Sequence, residues 1–190
     1  MDTQWPRYEV FEQAGTDQPH RNTGSVHAPD PELALQNARD VFVRRPECTS
    51  LWVVPVNQIY AWTAEALQVD PSWQTETLML ARSATPYEVF QKQGQRQSQT
   101  YVTHVGSVEA RSPVEALRLA LAEFDAGSVY VWWLVPARAI LRSARDDAES
   151  LFSPASDKTY RRPNEYHVQT QMREAPDSGS KAAGSEEQKS

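Results

Sequence analysis

Tyr8-Glu9-Val10-Phe11 returns as Tyr87-Glu88-Val89-Phe90, and that return organises the chain. Each stretch alternates and is rich in strand formers, so each predicts a strand. The same series of blocks follows both. Gly24-Ser25-Val26 recurs as Gly106-Ser107-Val108, and Trp52-Val53-Val54-Pro55 recurs as Trp133-Leu134-Val135-Pro136. Between them, Pro31, Ala34, Leu35 and Ala38 have counterparts in Pro113, Ala116, Leu117 and Ala120. The spacings are 79, 82 and 81 residues (8 to 87, 24 to 106, 52 to 133), so the copies differ only by small loop changes. Four blocks in one order mark a tandem duplication, and two copies are too few for a solenoid.

Each copy reads as strand, turn, strand, helix, strand. In the first, Gly15, Asp17 and Pro19 supply the turn. Asp30 is a helix N-cap with Pro31 at the first helical position, where its missing N–H costs nothing. Leu35, Ala38 and Phe42 follow at helical spacing, and Pro46 ends the helix. In the second, Ser112-Pro113-Val114-Glu115 predicts a capping box. Leu117, Ala120, Leu121 and Phe124 form its apolar stripe. Leu51–Val54 and Val129–Val135 are continuous apolar runs, which suits strands buried on both faces.

The expected fold is α+β: two pseudo-symmetric β-β-α-β units, each a roll-like small mixed sheet with one helix packed on it, fused in one body. One such unit alone buries only about 60% of its unfolded surface and is marginal, which favours fusion. The expected division is a first unit over 1–60, a packed connector over 61–84 and a second unit over 85–145. An extended segment over 146–173 and a disordered tail over 174–190 follow. The connector carries Trp62, Trp73, Leu78, Met79 and Leu80, too apolar for a free linker, whereas the tail has no large apolar residue.

Composition narrows the function. A net charge of −6 over 190 residues argues against a nucleic-acid footprint. The longest apolar run, Val129–Ile140, is broken by Pro136 and Arg138 and is too short to span a bilayer. No signal peptide is legible after Met1, and the single Cys48 suits a reducing compartment, so a cytoplasmic, soluble protein is expected.

Catalytic patterns are missing from the sequence. None of His20, His27, His104 and His167 has a Glu three residues before it, so no Glu-x-x-His pair of a di-iron helix bundle is present. There is no His-Glu-x-x-His, glycine-rich phosphate loop or Gly-x-Ser-x-Gly elbow. Cys48 has no local histidine to activate it and reads as a small buried hydrophobe. The expectation is therefore no catalytic residue, no metal and no cofactor. His20-Arg21 and His27 flank the second strand: they form either a polar patch for a CoA phosphate or partner carboxylate, or a solvated turn and an ordinary strand histidine. Arg39, Asp40, Arg44 and Arg45 lie on the polar side or end of the first helix, as a solvated face or an interface. Trp132 and Trp133 must point to opposite faces of their strand. One fills the core, and the other meets the opposite layer or a partner.

Trp5-Pro6-Arg7-Tyr8-Glu9-Val10-Phe11, His20-Arg21, Gly24-Ser25-Val26-His27-Ala28, Ala34–Asp40, Arg44-Arg45 and Leu51–Val54 together resemble the phenylacetic acid degradation protein B family. Leu151-Phe152-Ser153-Pro154, Asp157-Lys158, Tyr160-Arg161-Arg162-Pro163 and Tyr166 resemble that family's C-terminal end. The resemblance implies a cofactor-free, non-catalytic subunit of the multicomponent monooxygenase that epoxidises the ring of phenylacetyl-CoA. In that family's complex a ferritin-like subunit holds the di-iron site, a second ferritin-like subunit supports it, and the family member bridges them. Ordinary members carry one unit, whereas this chain carries two, which leaves two alternatives for the stoichiometry: a single chain replaces a homodimer of the family member, or chains still pair by self-association. The expected partner-contact residues are Arg7, His20, Arg21, His27, Arg39, Arg44, Arg45, Trp132, Tyr160 and Arg161. The competing reading is a stand-alone binding module for an aromatic acyl-CoA, or a regulator of a pathway enzyme.

Overall fold

Arg7–Gln13 (β1) and Arg21–His27 (β2) form an antiparallel hairpin, and Ser50–Pro55 (β3) pairs with the other side of β1. The helix Pro31–Phe42 (α1) connects them, started by Asp30, whose Oδ1 accepts from the Leu33 N–H at 2.7 Å. The second copy repeats this as Thr85–Gln93 (β5), Thr103–Ala110 (β6), Pro113–Phe124 (α3) and Val129–Pro136 (β7). Its capping box forms by half. Ser112 Oγ accepts from Glu115 N–H at 3.1 Å, but the Glu115 carboxylate accepts from the N–H and guanidinium of Arg111. The computed structural model describes residues 4–43, 48–74, 83–93, 102–124, 127, 129–144, 146 and 148–155. Every described residue lies in one compact unit, residues 1–157.

The bulge explains the repeated glycine. Val10 faces Gly24 while Phe11 faces Asn22, so Thr23 is an extra residue in β2; Val89 faces Gly106 and Phe90 faces His104, so Val105 is its counterpart in β6. A Cβ on Gly24 would lie 2.8 Å from Cζ of Phe42, and one on Gly106 would lie 2.6 Å from Cζ of Phe124. Each bulge thus seats the last aromatic ring of its helix against bare backbone. Gly24 additionally holds φ at +140°, which side chains disfavour.

Two short strands, Tyr60–Thr63 (β4) and Leu141–Arg142 (β8), join the units in a way the repeat pattern does not encode. β4 follows the first unit but pairs with β7 of the second, and β8 follows the second unit but pairs with β3 of the first. The result is one eight-stranded sheet in the order β4-β7-β5-β6-β2-β1-β3-β8, antiparallel at every described pairing. This order is palindromic in the repeat. At its centre Arg21 pairs with Thr103, the residue 82 positions on, flanked by Asn22 N–H to Val102 O and His104 N–H to His20 O, both 2.9 Å. The donors are equivalent positions, as are the acceptors. A pseudo-twofold axis therefore passes between Arg21 and Thr103.

Two cores lie under the helices. One gathers Tyr8, Val10, Val26, Ala34, Ala38 and Val53; the other gathers Tyr87, Val89, Val108, Ala116, Ala120 and Trp132. Helix Ala148–Phe152 (α4) sends Phe152 into the first, and helix Ala64–Val69 (α2) sends Leu67 against the second, so both segments cross the axis with their strands. A third core on the opposite sheet face unites the halves through Phe11, Phe90, Val54, Val135 and Ile140. The Phe11 and Phe90 ring centroids are 4.4 Å apart. Their strands are separated by β6 and β2, about 14 Å in a flat sheet, so the sheet curls to bring the rings together. Each fully buried Phe contributes about 2–3 kcal/mol, against about 1 for each hydrogen bond between β2 and β6. Apolar burial, more than the central ladder, joins the halves.

Candidate functional site

On the face carrying Phe11 and Phe90, ionisable side chains gather on one side of the axis. His20, just before β2, is only 7% exposed. Its ring stacks on Trp52 of β3 at 3.7 Å and 22°, and its Nε2 shares a 3.0 Å hydrogen bond with Ser50 Oγ. The exchanged strand β8 brings Arg142 opposite Trp52, with the guanidinium 4.7 Å from the indole centroid. From the second unit, Glu88 of β5 accepts at 2.7 Å from Arg142 Nη2 through one oxygen and at 2.7 Å from His104 Nε2–H through the other. His104 lies edge-on to Trp52 and Phe90, each at 5.2 Å. Alternation along β5 aims Glu88 and Phe90 at this face, and the bulge sets His104 beside them.

Burial decides the electrostatics. It lowers the His20 pKa to about 4, assisted by His104 and Arg142 and opposed by Glu88, so the ring is neutral at pH 7. Burial alone would raise the Glu88 carboxyl, but the hydrogen bond and charge of His104, with those of Arg142, outweigh it and hold it below its ordinary value. An open cleft of about 720 Å³ adjoins the cluster, walled by His20, Trp52 and Arg142 and by the polar side chains Gln13, Thr49, Ser50 and Ser143.

The mirror positions lack this chemistry. Across the axis His20 becomes Val102, His104 becomes Asn22, and Arg142 becomes Ala61, the residue that pairs with Trp133 as Arg142 pairs with Trp52. The glutamate survives as Glu9, which accepts from Asn22 Nδ2 at 3.0 Å and lies 3.6 Å from Arg7. The aromatic frame also survives: Trp133 meets Phe11 edge-on at 6.4 Å, as Trp52 meets Phe90. Only one side of the axis carries the histidines and the arginine at these positions.

The residues expected to contact partners are scattered. His20 alone joins the cluster. Arg21 sits on the pseudo-axis with its side chain exposed; His27, at the end of β2, is exposed and donates from Nδ1 to Trp5 O at 2.8 Å. Arg7 is exposed at the start of β1, and Arg39 on α1 bonds its neighbour Asp40 at 2.9 Å. Trp132 is 1% exposed and fills the second core, so it cannot meet a partner without unfolding; Trp133 faces the third core instead. Trp132 is enclosed, and Trp133 is half-buried against the third core. Arg44, Arg45, Tyr160 and Arg161 lie outside the described residues. Cys48 is buried, with its thiol pushed up to about 12, chiefly by burial. Among the described residues no three His, Cys, Asp or Glu side chains converge as metal ligands would, and no helix is long and apolar enough to cross a membrane.

Comparison with known proteins fits this two-unit body. A family model described as Phenylacetic acid degradation B matches residues 4–75 and 84–173, one segment for each repeat. The chain belongs to the phenylacetic acid degradation B family. It is 49% identical over 57 residues to the B subunit of 1,2-phenylacetyl-CoA epoxidase from Escherichia coli (strain K12). That stretch is 30% of this chain and spans 60% of the length of the relative. No solved structure matches. Gly24 and Gly106 with the closing Phe42 and Phe124 are shared by the two repeats, whereas His20, His104 and Arg142 have no like residue across the axis.

Trp52, Glu88, His104, Arg142 and Ser143 are not among the residues that sequence reasoning singles out for a site. The available signal is mismatch rather than match between the repeats: His20 against Val102, His104 against Asn22 and Arg142 against Ala61.

Proposed function

We propose that this chain is a non-catalytic bridging subunit of a multicomponent phenylacetyl-CoA ring epoxidase, holding a ferritin-like di-iron catalytic subunit and its ferritin-like companion together in the cytoplasm. The observation that carries the reading is the reciprocal exchange of β4 and β8. Two family units complete each other's sheets within one polypeptide, which supports a single chain standing where two copies of a one-unit member would pair. Such a body offers like surfaces on either side of an axis, a geometry suited to tying two related subunits. The unit boundaries read from the repeat, 1–60 and 85–145 with a packed connector between them, belong to the same proposal.

The test is co-expression of this chain with ferritin-like subunits from the same source, purification on a tag carried here, and mass determination by light scattering with iron analysis of each component. The reading requires a stable complex with iron in the partner alone, and predicts that charge reversal at Arg44 and Arg45 weakens it while the isolated fold survives. A chain that elutes alone even at low salt would overturn the bridging role.

A further inference from the structure

The cleft beside His20 carries polar chemistry that the axis-related half does not share. Its mirror positions are built from Val102, Asn22 and Ala61, and that half folds on the same aromatic frame, so folding does not require the polar set. Burying a histidine where valine suffices costs stability, and a retained cost of this kind marks a working position. The cleft also has a definite polarity. No carboxylate is among the described residues that line it. Arg142 donates from Nη1 to Ala137 O at 3.3 Å and from Nη2 to Glu88; its other N–H donors have no partner among the described residues. Ser143 Oγ accepts from Leu51 N–H at 3.0 Å, and its hydroxyl hydrogen has no acceptor among the described residues. His20 uses Nε2 on Ser50, and its Nδ1 has no described partner. Glu88 holds Arg142 in place from behind without entering the cleft lining.

Arg142 pairs with Glu88 from behind, and the unspent donors of Arg142, in a cleft whose described lining holds no carboxylate, suit a planar anionic head that two N–H groups can grip together. The apolar surface of the His20–Trp52 stack and a volume of about 720 Å³ leave room for a body much larger than the head. We propose that this cleft binds a small organic carboxylate, its head on Arg142 and Ser143 and its flat apolar body beside the His20–Trp52 stack. The axis-related position is not a second such site, because it has neither the arginine nor the histidine.

The experiment uses the full chain and benzoate as the probe, titrated by calorimetry and followed by amide and indole nitrogen–proton spectra. Benzamide serves as the uncharged isostere and acetate as the head without the body. Arg142→Ala and His20→Val each install the residue found across the axis. The expected result is saturable binding of one benzoate, shifting the Trp52 indole and Ser143 amide. Arg142→Ala and the exchange of benzoate for benzamide should each weaken binding at least about tenfold, the loss of one charge-assisted contact. His20→Val and acetate should each weaken it by a smaller factor. If Arg142→Ala does not fold, Arg142→Lys keeps the charge without the planar fork and should still lose several-fold. Absence of saturable benzoate binding, equal binding of benzamide, or unchanged binding by the arginine variants would each overturn the proposal.

Discussion

His104 and Asn22 occupy equivalent positions in the two repeats and make equivalent hydrogen bonds, to Glu88 at 2.7 Å and to Glu9 at 3.0 Å. The pair differs in what stands behind it. Glu88 is also held by Arg142 at 2.7 Å, whereas Glu9 has Arg7 at 3.6 Å. One backbone frame thus supports a carboxylate gripped by two close partners on one side of the axis and a more loosely paired carboxylate on the other.

That difference predicts unequal costs for the same substitution. Glu88→Gln removes two charge-assisted bonds from a carboxylate whose side chain is 14% exposed and should cost about 2 kcal/mol, a figure already reduced for the partial exposure of Arg142. Glu9→Gln should cost about 1 kcal/mol or less. Urea unfolding of the two variants at pH 7 checks this, and equal losses would contradict the asymmetric network.

The buried histidine predicts an acid-sensitive fold. With a pKa near 4 when folded and about 6.5 when unfolded, His20 takes up a proton first in the unfolded chain. Stability therefore rises with pH between 4 and 6.5, and moving from pH 7 to pH 5 should lose roughly 2 kcal/mol through this residue. Glu88, depressed below its ordinary value, adds its loss only at lower pH. His20→Val should flatten the decline between pH 7 and pH 5; an undiminished decline would exonerate His20.

The two bulge glycines should respond alike in kind and differently in size. Gly106→Ala pushes Cβ into the Phe124 ring and should cost about 1–2 kcal/mol as the half-buried ring shifts. Gly24→Ala meets Phe42 in the same way and adds the strain of a positive φ, for about 2–3 kcal/mol in total. Pairing each change with Phe→Leu at its ring should give a double-mutant coupling above about 0.5 kcal/mol. Simple additivity would mean that the ring is not what excludes Cβ.

The exchanged strands predict that the halves need each other. A chain divided between residues 74 and 84 should yield two fragments that co-purify one to one and unfold together. Each fragment alone, lacking the strand that completes its sheet, should be soluble only as an oligomer or not at all. Separate, cooperative unfolding of isolated fragments would contradict an interdependent sheet.

The repeat makes most of the fold legible, because every strand and helix of the β-β-α-β unit is spelled twice by independent residues. Tyr8 and Val10 against Phe11 follow simple alternation, and Asp30 and Pro31 mark a helix start by local chemistry. The destinations of β4 and β8 are not legible, since a short strand carries no label for the edge it will join. The site is hidden for the same reason: Glu88 and Arg142 meet at 2.7 Å across 54 residues, through a pairing that no local pattern announces. Trp132 and Trp133 show the limit of local pattern: alternation sends them to opposite faces but does not say that Trp132 is enclosed while Trp133 stays half-buried against the third core.

The exchange also bears on how the chain is born. A ribosome that has released the first repeat has delivered a β3 whose outer edge is bare and a β4 with no neighbour. Both stay so until β7 and then Leu141 emerge. Repeat-by-repeat maturation, the usual economy of tandem domains, is closed to this molecule. The nascent first half must keep an open edge from straying to other chains while the second is made. Conditions that slow elongation through the second repeat should therefore lower soluble yield more than conditions that slow the first.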